Sequence, residues 1–290
     1  MGCLRLGTRG SPLALRQTEI AKQQLAAAGV ERMETVIINT TGDKIVDKPL
    51  WDIGGKGLFA KELQQALLEE RIDVAVHSLK DMEWHFPPGL QITAVLERED
   101  PRDCFVSLKH THYHDLPPNS IIGTCSPRRV SQLLHRLPTV LTIPLRGNVQ
   151  TRLHRLEEMG LDGIILAVAG LKRLELTDRI TMYLEPEFMI PSAGQGVIAL
   201  ESRINDDQTN EILYRINHKP TWECITVEKA VLAQINGDCH TPIGVYAQRS
   251  DDGILFIRSV LEYEGRVRFA SGEGSDPHEL VTQIVRSLLT

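Results

Sequence analysis

Long apolar runs are missing from this sequence. The longest nearly unbroken one, from Ile164 to Leu171, is far short of the ~20 residues that a membrane-spanning helix needs. Residues 1–9 contain no apolar segment of the secretory-signal kind. Gly2-Cys3 hints at acylation, but Leu6 stands where the myristoylation motif wants Ser or Thr, so the segment reads as the start of a strand. Positive charge is not in excess either. With 32 Lys and Arg against 38 Asp and Glu the net charge is −6, the wrong sign for general nucleic-acid binding. The five cysteines (Cys3, Cys104, Cys125, Cys224 and Cys239) are odd in number and scattered, and no C-x-x-C occurs. A disulfide framework and a zinc knuckle are thereby excluded, and a reducing cytoplasm is the expected setting, with at most one thiol in a special role.

What is present is ordinary globular material. Of the 290 residues 42% are apolar and 24% charged, which excludes disordered, collagen-like and coiled-coil classes and suggests two domains or three small ones. The first half alternates: strand 4–8, helix 12–28, strand 35–40, helix 58–70, strand 73–79 and strand 92–96. Residues 97–103 are charged and broken by Pro101, and read as a crossing between lobes or as a solvated loop. The alternation then resumes with strand 120–123, helix 127–137, strand 140–145, helix 149–159 and strand 163–169. Such alternation predicts an α/β class with mainly parallel sheets and right-handed crossovers. After residue 221 the pattern becomes helix 224–235, strands 244–248, 254–261 and 266–272, and a closing helix 277–288, a small α+β module.

Two segments echo each other. Gly7-Thr8-Arg9-Gly10-Ser11-Pro12 and Gly123-Thr124-Cys125-Ser126-Pro127 each end a strand and open a helix with Pro in its first turn. Such starts aim free backbone N–H groups and the positive helix end at whatever lies above the sheet. Two of them predict lobes that grip an acidic ligand; two ordinary helix caps are the plainer reading. Arginines gather at the same kind of position, with Arg9, Arg128, Arg129, Arg146, Arg152 and Arg173 at or just beyond strand ends. In an acidic chain that set implies a locally positive site for a polycarboxylate or phosphate, although any single arginine is as well explained by a surface ion pair.

Other motifs fail on context. Gly194-Gln195-Gly196-Val197-Ile198-Ala199 matches G-x-G-x-x-A in form, but it follows Pro191-Ser192-Ala193 rather than a strand and leads into a strand. Gly54-Gly55-Lys56-Gly57 lacks the Walker spacing and reads as a mobile cationic lid over an anion. His110, His112 and His114 alternate beside Leu116-Pro117-Pro118 and read as a solvated loop, so no metal is expected. His77-Ser78-Leu79-Lys80-Asp81 closes the strand that begins at Asp73, and places a carboxylate next to Lys80 where it can stabilise a developing cation.

Taken in order, these segments resemble the porphobilinogen deaminase (hydroxymethylbilane synthase) family. The matching stretches are 7–15, 54–59, 77–81, 98–103, 123–129, 145–148, 166–171, 194–196 and 239–244, the last being Cys239-His240-Thr241-Pro242-Ile243-Gly244. The resemblance implies two periplasmic-binding-protein-like lobes, residues 1–96 with 194–217 and residues 97–193, and a small α+β domain at 218–290. It further implies a dipyrromethane cofactor held through a thioether at Cys239, and Asp81 as the catalytic carboxylate at the pyrrole nitrogens. Ser78, Lys80, Thr124, Ser126, Arg128, Arg129 and Arg173 match positions that hold the cofactor's acetate and propionate groups. Arg9, Ser11, Arg146 and Arg152 match those that receive porphobilinogen, with Gln195 nearby, and Lys56 and Phe59 match a mobile loop.

The implied activity is a transferase. It condenses four porphobilinogen molecules head to tail on the dipyrromethane and hydrolyses off hydroxymethylbilane, as a cytoplasmic monomer without nucleic-acid or membrane partners. The departures are Gly237-Asp238 where the family usually has two glycines before the cysteine, Cys125 for a usual serine, and Met82-Glu83-Trp84 after Asp81. Asp238 is expected to raise the Cys239 pKa and slow cofactor loading. The alternative from another class is a two-lobed binding protein for a small polycarboxylate, which needs neither Asp81 nor Cys239.

Overall fold

The computed structural model describes residues 2–40, 60–82, 87–237 and 241–290. Lys56, Phe59 and Cys239 therefore lie outside the described residues. By contact the chain forms two compact units, residues 1–99 with 196–222 and residues 100–195 with 223–290. In chain order the elements begin with β1 (Leu4–Thr8), α1 (Pro12–Ala27), β2 (Met33–Ile37), α2 (Lys61–Leu68), β3 (Val74–Ser78) and β4 (Leu90–Val95). Next come β5 (Asp103–Val106), β6 (Ile121–Gly123), α3 (Pro127–Arg136), β7 (Leu141–Ile143), α4 (Val149–Glu158), β8 (Gly163–Ala167), α5 (Val168–Arg173) and β9 (Met182–Leu184). The chain closes with β10 (Ile198–Arg203), α6 (Asp207–Arg215), α7 (Lys219–Ile235), β11 (Ile243–Arg249), β12 (Leu255–Tyr263), β13 (Arg266–Gly274) and α8 (Pro277–Leu289).

In the first unit the sheet order is β2-β1-β3-β10-β4. β1 pairs in parallel with β2 and β3, whereas β10 runs antiparallel to both β3 and β4. Val74, Ala75 and Val76 are buried in succession, as a strand covered on both faces requires. One face packs Leu4, Leu6, Val74, Val76 and Leu200 against Leu25 of α1 and Leu213 of α6. The other packs Ala75 and Leu90 against Leu63, Ala66 and Leu67 of α2.

The second unit repeats the arrangement. Its sheet order is β7-β6-β8-β5-β9, with β6 parallel to β7 and β8, and β5 antiparallel to β8 and β9. Each sheet thus has a parallel core of three strands, extended on one side by antiparallel strands that the sequence periodicity did not orient. A second, wholly antiparallel sheet, β11-β12-β13, carries α8 through Leu280, Val281, Ile284 and Leu288. It joins the rest of this unit through Val245 N donating to Pro191 O (3.0 Å), the Arg258–Glu187 pair (2.6 Å) and Arg136 stacked 5.0 Å over Phe269.

Among the boundaries that differ from the sequence reading, two have a direct physical reason. The strand expected to run to residue 169 ends at Ala167, and the same apolar run turns into α5. A short continuous apolar stretch has no period that separates a buried strand from a buried helix. α7 starts at Lys219 rather than at residue 224, because Pro220 lies in the first turn, where its missing N–H costs nothing.

Candidate functional site

The two echoing loops have the same construction. At the end of β1, Ser11 caps α1 by accepting from Ala14 N (3.3 Å), and Pro12 occupies the first turn. At the end of β6, Ser126 caps α3 by accepting from Arg129 N (3.4 Å), and Pro127 occupies the first turn. Gly7 and Gly123 are the equivalent strand residues. A Cβ at Gly7 would overlap Ile72, and one at Gly123 would press on Leu145 and Leu161, so each strand end packs tightly only because glycine is there.

In the first unit, Arg9, Gln17, His77, Ser78 and Asp81 line one small recess with Ala14, Ala60, Val76 and Met82. β3 ends at Ser78 and the chain turns through a single 3-10 turn, Leu79–Asp81, which leaves Asp81 exposed. Ser78 Oγ is fixed by Gln17 of α1, whose Nε2 donates to it at 2.8 Å. Lys80 is half-buried beside it. Beneath the recess His77 Nε2 lies 2.9 Å from Glu201 Oε2, and Gln64 Nε2 donates to Glu201 Oε1 at 2.9 Å. Glu201 is fully buried.

In the second unit the arginines divide into two groups. Arg128 and Arg129, from the first turn of α3, are 4% and 6% exposed and flank Asp103, the buried first residue of β5. Asp103 Oδ2 is 2.8 Å from Arg128 Nη1 and Oδ1 is 2.7 Å from Arg129 Nη2. Burial alone would raise the Asp103 carboxyl, but the two guanidinium groups overcome it and hold the group well below the usual carboxylate range. Arg128 Nη1 also donates to Ile190 O (2.6 Å) and Arg129 Nη1 to Ile165 O (2.9 Å). Gln195 is 1% exposed and joins the same cluster, its Nε2 donating to Asp103 Oδ1 (2.9 Å) and to Pro101 O (2.7 Å). Arg173, at the end of α5, is 9% exposed.

Arg146, Arg152 and Arg155 form the second group, around Cys125. Burial raises the Cys125 thiol, and these three cations oppose the rise. Arg152 Nε donates to Gly147 O (2.8 Å), and Arg155 Nη1 donates to Arg146 O (3.2 Å). Thr124 is buried, and Ser126 N donates to its Oγ1 (3.3 Å).

The other expected features fall as follows. Cys3 is exposed rather than shielded by its strand; Cys104 is buried with its thiol pushed up to about 12, chiefly by desolvation; Cys224 is buried within α7. His112 Nδ1 accepts from His114 N (3.0 Å) and the two rings stack 4.7 Å apart, while Tyr113 stacks on Phe188. Among the described residues no group of three His, Cys, Asp or Glu side chains could hold a metal ion.

The sequence reading assigned no role to several members of these clusters, the two buried carboxylates Asp103 and Glu201 above all. Asp103 was part of the charged crossing, and only its place after Pro101-Arg102 at a strand start hinted otherwise. Glu201 was an ordinary polar residue of a predicted strand. The cation cluster fits a ligand that brings carboxylates: Arg128 Nε, Arg129 Nε and Arg146 Nη1 are buried without a hydrogen-bond partner. A buried guanidinium N–H without an acceptor is costly, and a carboxylate is the group that satisfies it best.

These features define a class: an α/β protein of two parallel-rich units and a small antiparallel domain, equipped with cations and one exposed carboxylate at strand ends. Residues 4–211 match the family model described as porphobilinogen deaminase, dipyromethane cofactor binding domain, and residues 222–290 match that of the porphobilinogen deaminase C-terminal domain. The chain belongs to the porphobilinogen deaminase family. The porphobilinogen deaminase, chloroplastic, of Oryza sativa subsp. japonica is 43% identical over 281 residues, 95% of this chain and 76% of that one. That of Pisum sativum is 47% identical over 265 residues, 89% and 72%. Solved structures of solute-binding proteins are more distant. A periplasmic substrate-binding protein of an ABC transporter from Coxiella burnetii is 14% identical (TM-score 0.45, 81% of this chain and 98% of that one). The methionine-binding protein MetQ is 11% identical (TM-score 0.47, 81% and 95%).

Proposed function

We infer that the chain is a transferase that deaminates porphobilinogen, joins four molecules head to tail on a dipyrromethane primer and releases hydroxymethylbilane by hydrolysis. One observation carries the reading at the level of residues: Asp81, Arg9 and Ser78 line a single recess in the first unit. A carboxylate next to a bound pyrrole nitrogen lowers the energy of the azafulvenium cation that forms as ammonia leaves. Arg9 and Ser11, at the start of α1, supply donors for the carboxylates of the incoming ring. Arg146 and Arg152 belong to the substrate-holding set, and the buried Nη1 of Arg146 has no hydrogen-bond partner.

The dipyrromethane, when bound, supplies the free α-carbon to which the first ring adds. Ser78, Lys80, Thr124, Ser126, Arg128, Arg129 and Arg173 would hold its acetate and propionate groups. Asp103 acts behind them, since it pairs with the guanidinium groups of Arg128 and Arg129, and Gln195 in turn donates to Asp103. We assign the covalent attachment to Cys239, four residues before β11 in the sequence, and a substrate-covering role to Lys56 and Phe59. We read the chain as three modules, 1–96 with 194–217, 97–193 and 218–290, acting as a monomer in a reducing compartment.

Denaturing mass spectrometry tests the reading. Active protein is expected to be heavier than its sequence by two pyrrole units, mapped to Cys239, and Cys239→Ser protein to have the bare mass and little activity. Protein that binds porphobilinogen at its bare mass without consuming it would instead be a polycarboxylate-binding protein.

A further inference from the structure

We propose that His77, held by Glu201, is a second proton-handling group of the first unit's recess and takes the proton lost when each new ring joins. The proposal rests on the porphobilinogen-condensing reading above.

The His77 and Glu201 side chains are 5% and 0% exposed, on neighbouring strands that bury mainly apolar residues with a few small hydroxyls, Thr8, Thr93 and Ser202. Val74, Ala75 and Val76 show what packing alone selects on β3. An apolar pair of similar volume there would avoid the desolvation of a buried carboxylate, so stability does not account for the choice. The geometry directs the imidazole instead. Glu201 accepts on both oxygens, from His77 Nε2 and from Gln64 Nε2, each at 2.9 Å. With Nε2 committed as the donor to Glu201, Nδ1 is the nitrogen left for chemistry. The ring lines the same recess as Asp81 and Arg9. The charged groups around it are Arg9 from the loop after β1, Asp81 from the turn after β3 and Glu201 from β10, while α2 contributes the neutral Gln64.

The reaction needs such a group. Ammonia leaves the aminomethyl ammonium of porphobilinogen as a neutral molecule, and the positive charge stays on the ring as the azafulvenium. The α-carbon of the last-added ring then forms a bond to that methylene carbon. The electron deficit is thereby transferred to the attacking ring, which regains aromaticity only when its α-C–H bond breaks. His77 Nδ1 takes that proton and passes it to water or to the departed ammonia, which restores the neutral imidazole. Asp81 is then free to remain the counter-charge at the pyrrole nitrogens.

The test is His77→Gln, whose amide keeps an N–H donor for Glu201. The variant is expected to fold, to carry the same covalent mass as wild type and to keep KM within about two-fold, while kcat falls roughly 100-fold. Porphobilinogen deuterated at its free α-carbon should turn over more slowly than the protiated substrate in the variant, with an isotope effect that wild type lacks. A purely structural role lowers Tm and rate together and creates no isotope effect, and that result overturns the proposal, as does wild-type kcat. Glu201→Gln is the second variant, expected to show a smaller loss of kcat with the same isotope effect. If neither variant folds, His77 is a structural residue and the proposal fails. Failure of wild-type protein to consume porphobilinogen would defeat the functional reading itself, a distinct outcome.

Discussion

Asp81 stands exposed after one 3-10 turn, and Ser78, three residues earlier, is tied to α1 by Gln17. The carboxylate is therefore fixed by its backbone rather than by partners of its own, which suits a group whose task is to place negative charge next to a nascent cation. Asp81→Asn keeps the shape and removes the charge. Loaded mass and fold should be unchanged, and single-turnover condensation should slow by about 10²–10³-fold, the usual cost of removing one preorganised stabilising group. Near-normal condensation by this variant would remove Asp81 from the chemistry. The position of Asp81 was legible because everything that sets it is local: an apolar run, its end and the next three residues. The Asp103 and Glu201 clusters were not. Asp103 meets Arg129 and Gln195 across 26 and 92 residues, and Glu201 meets His77 across 124. Nothing in a local period tells a polar side chain facing water from one facing a buried partner.

At the scale of elements, the first turn of α3 depends on one side chain of another strand. Arg128 and Arg129 are two buried cations against the single carboxylate of Asp103, and the Ser126 cap is a second, weaker constraint. Asp103→Ala leaves both guanidinium groups buried and unpaired and should lower unfolding stability by about 3–5 kcal/mol, read from the denaturant midpoint. Ser126→Ala should cost about 1 kcal/mol. Equal losses in the two variants would mean that Asp103 does not anchor the helix. The helix starts themselves were readable from turn chemistry, Ser then Pro after a strand. The antiparallel neighbours of each parallel core were not, because β5 and β10 are placed by chain crossings and not by their own residues.

For the molecule as a whole, Asp73, Asp100, Asp103 and Asp162 are all held below the ordinary carboxylate range. In each case burial works against the shift, and guanidinium partners or backbone N–H donors outweigh it. A carboxylate with a depressed native pKa adds stability that is complete above its unfolded value, near 4, and is lost as pH falls through the native value. Tm should therefore be level from pH 7 to about 5 and drop steadily below about 4. The drop should be shallower in Asp103→Asn, which has one fewer carboxylate to protonate. A Tm that falls between pH 7 and 5 would point to histidines instead.

The place of β10 has a consequence for synthesis. β4 has β10 as its sheet neighbour, and β10 comes from residues 198–203, after all five strands of the β7-β6-β8-β5-β9 sheet have been made. At translation rates of about 5–20 residues per second, the interval between β4 and β10 is roughly 5–20 s. The last strand of the later-encoded sheet, β9, ends about 14 residues before β10, so that sheet has all its strands roughly 1–3 s before β10 is made, while β3 and β4 still have open ladder edges. On the ribosome the sheet encoded later is thus expected to be the first to have all its strands.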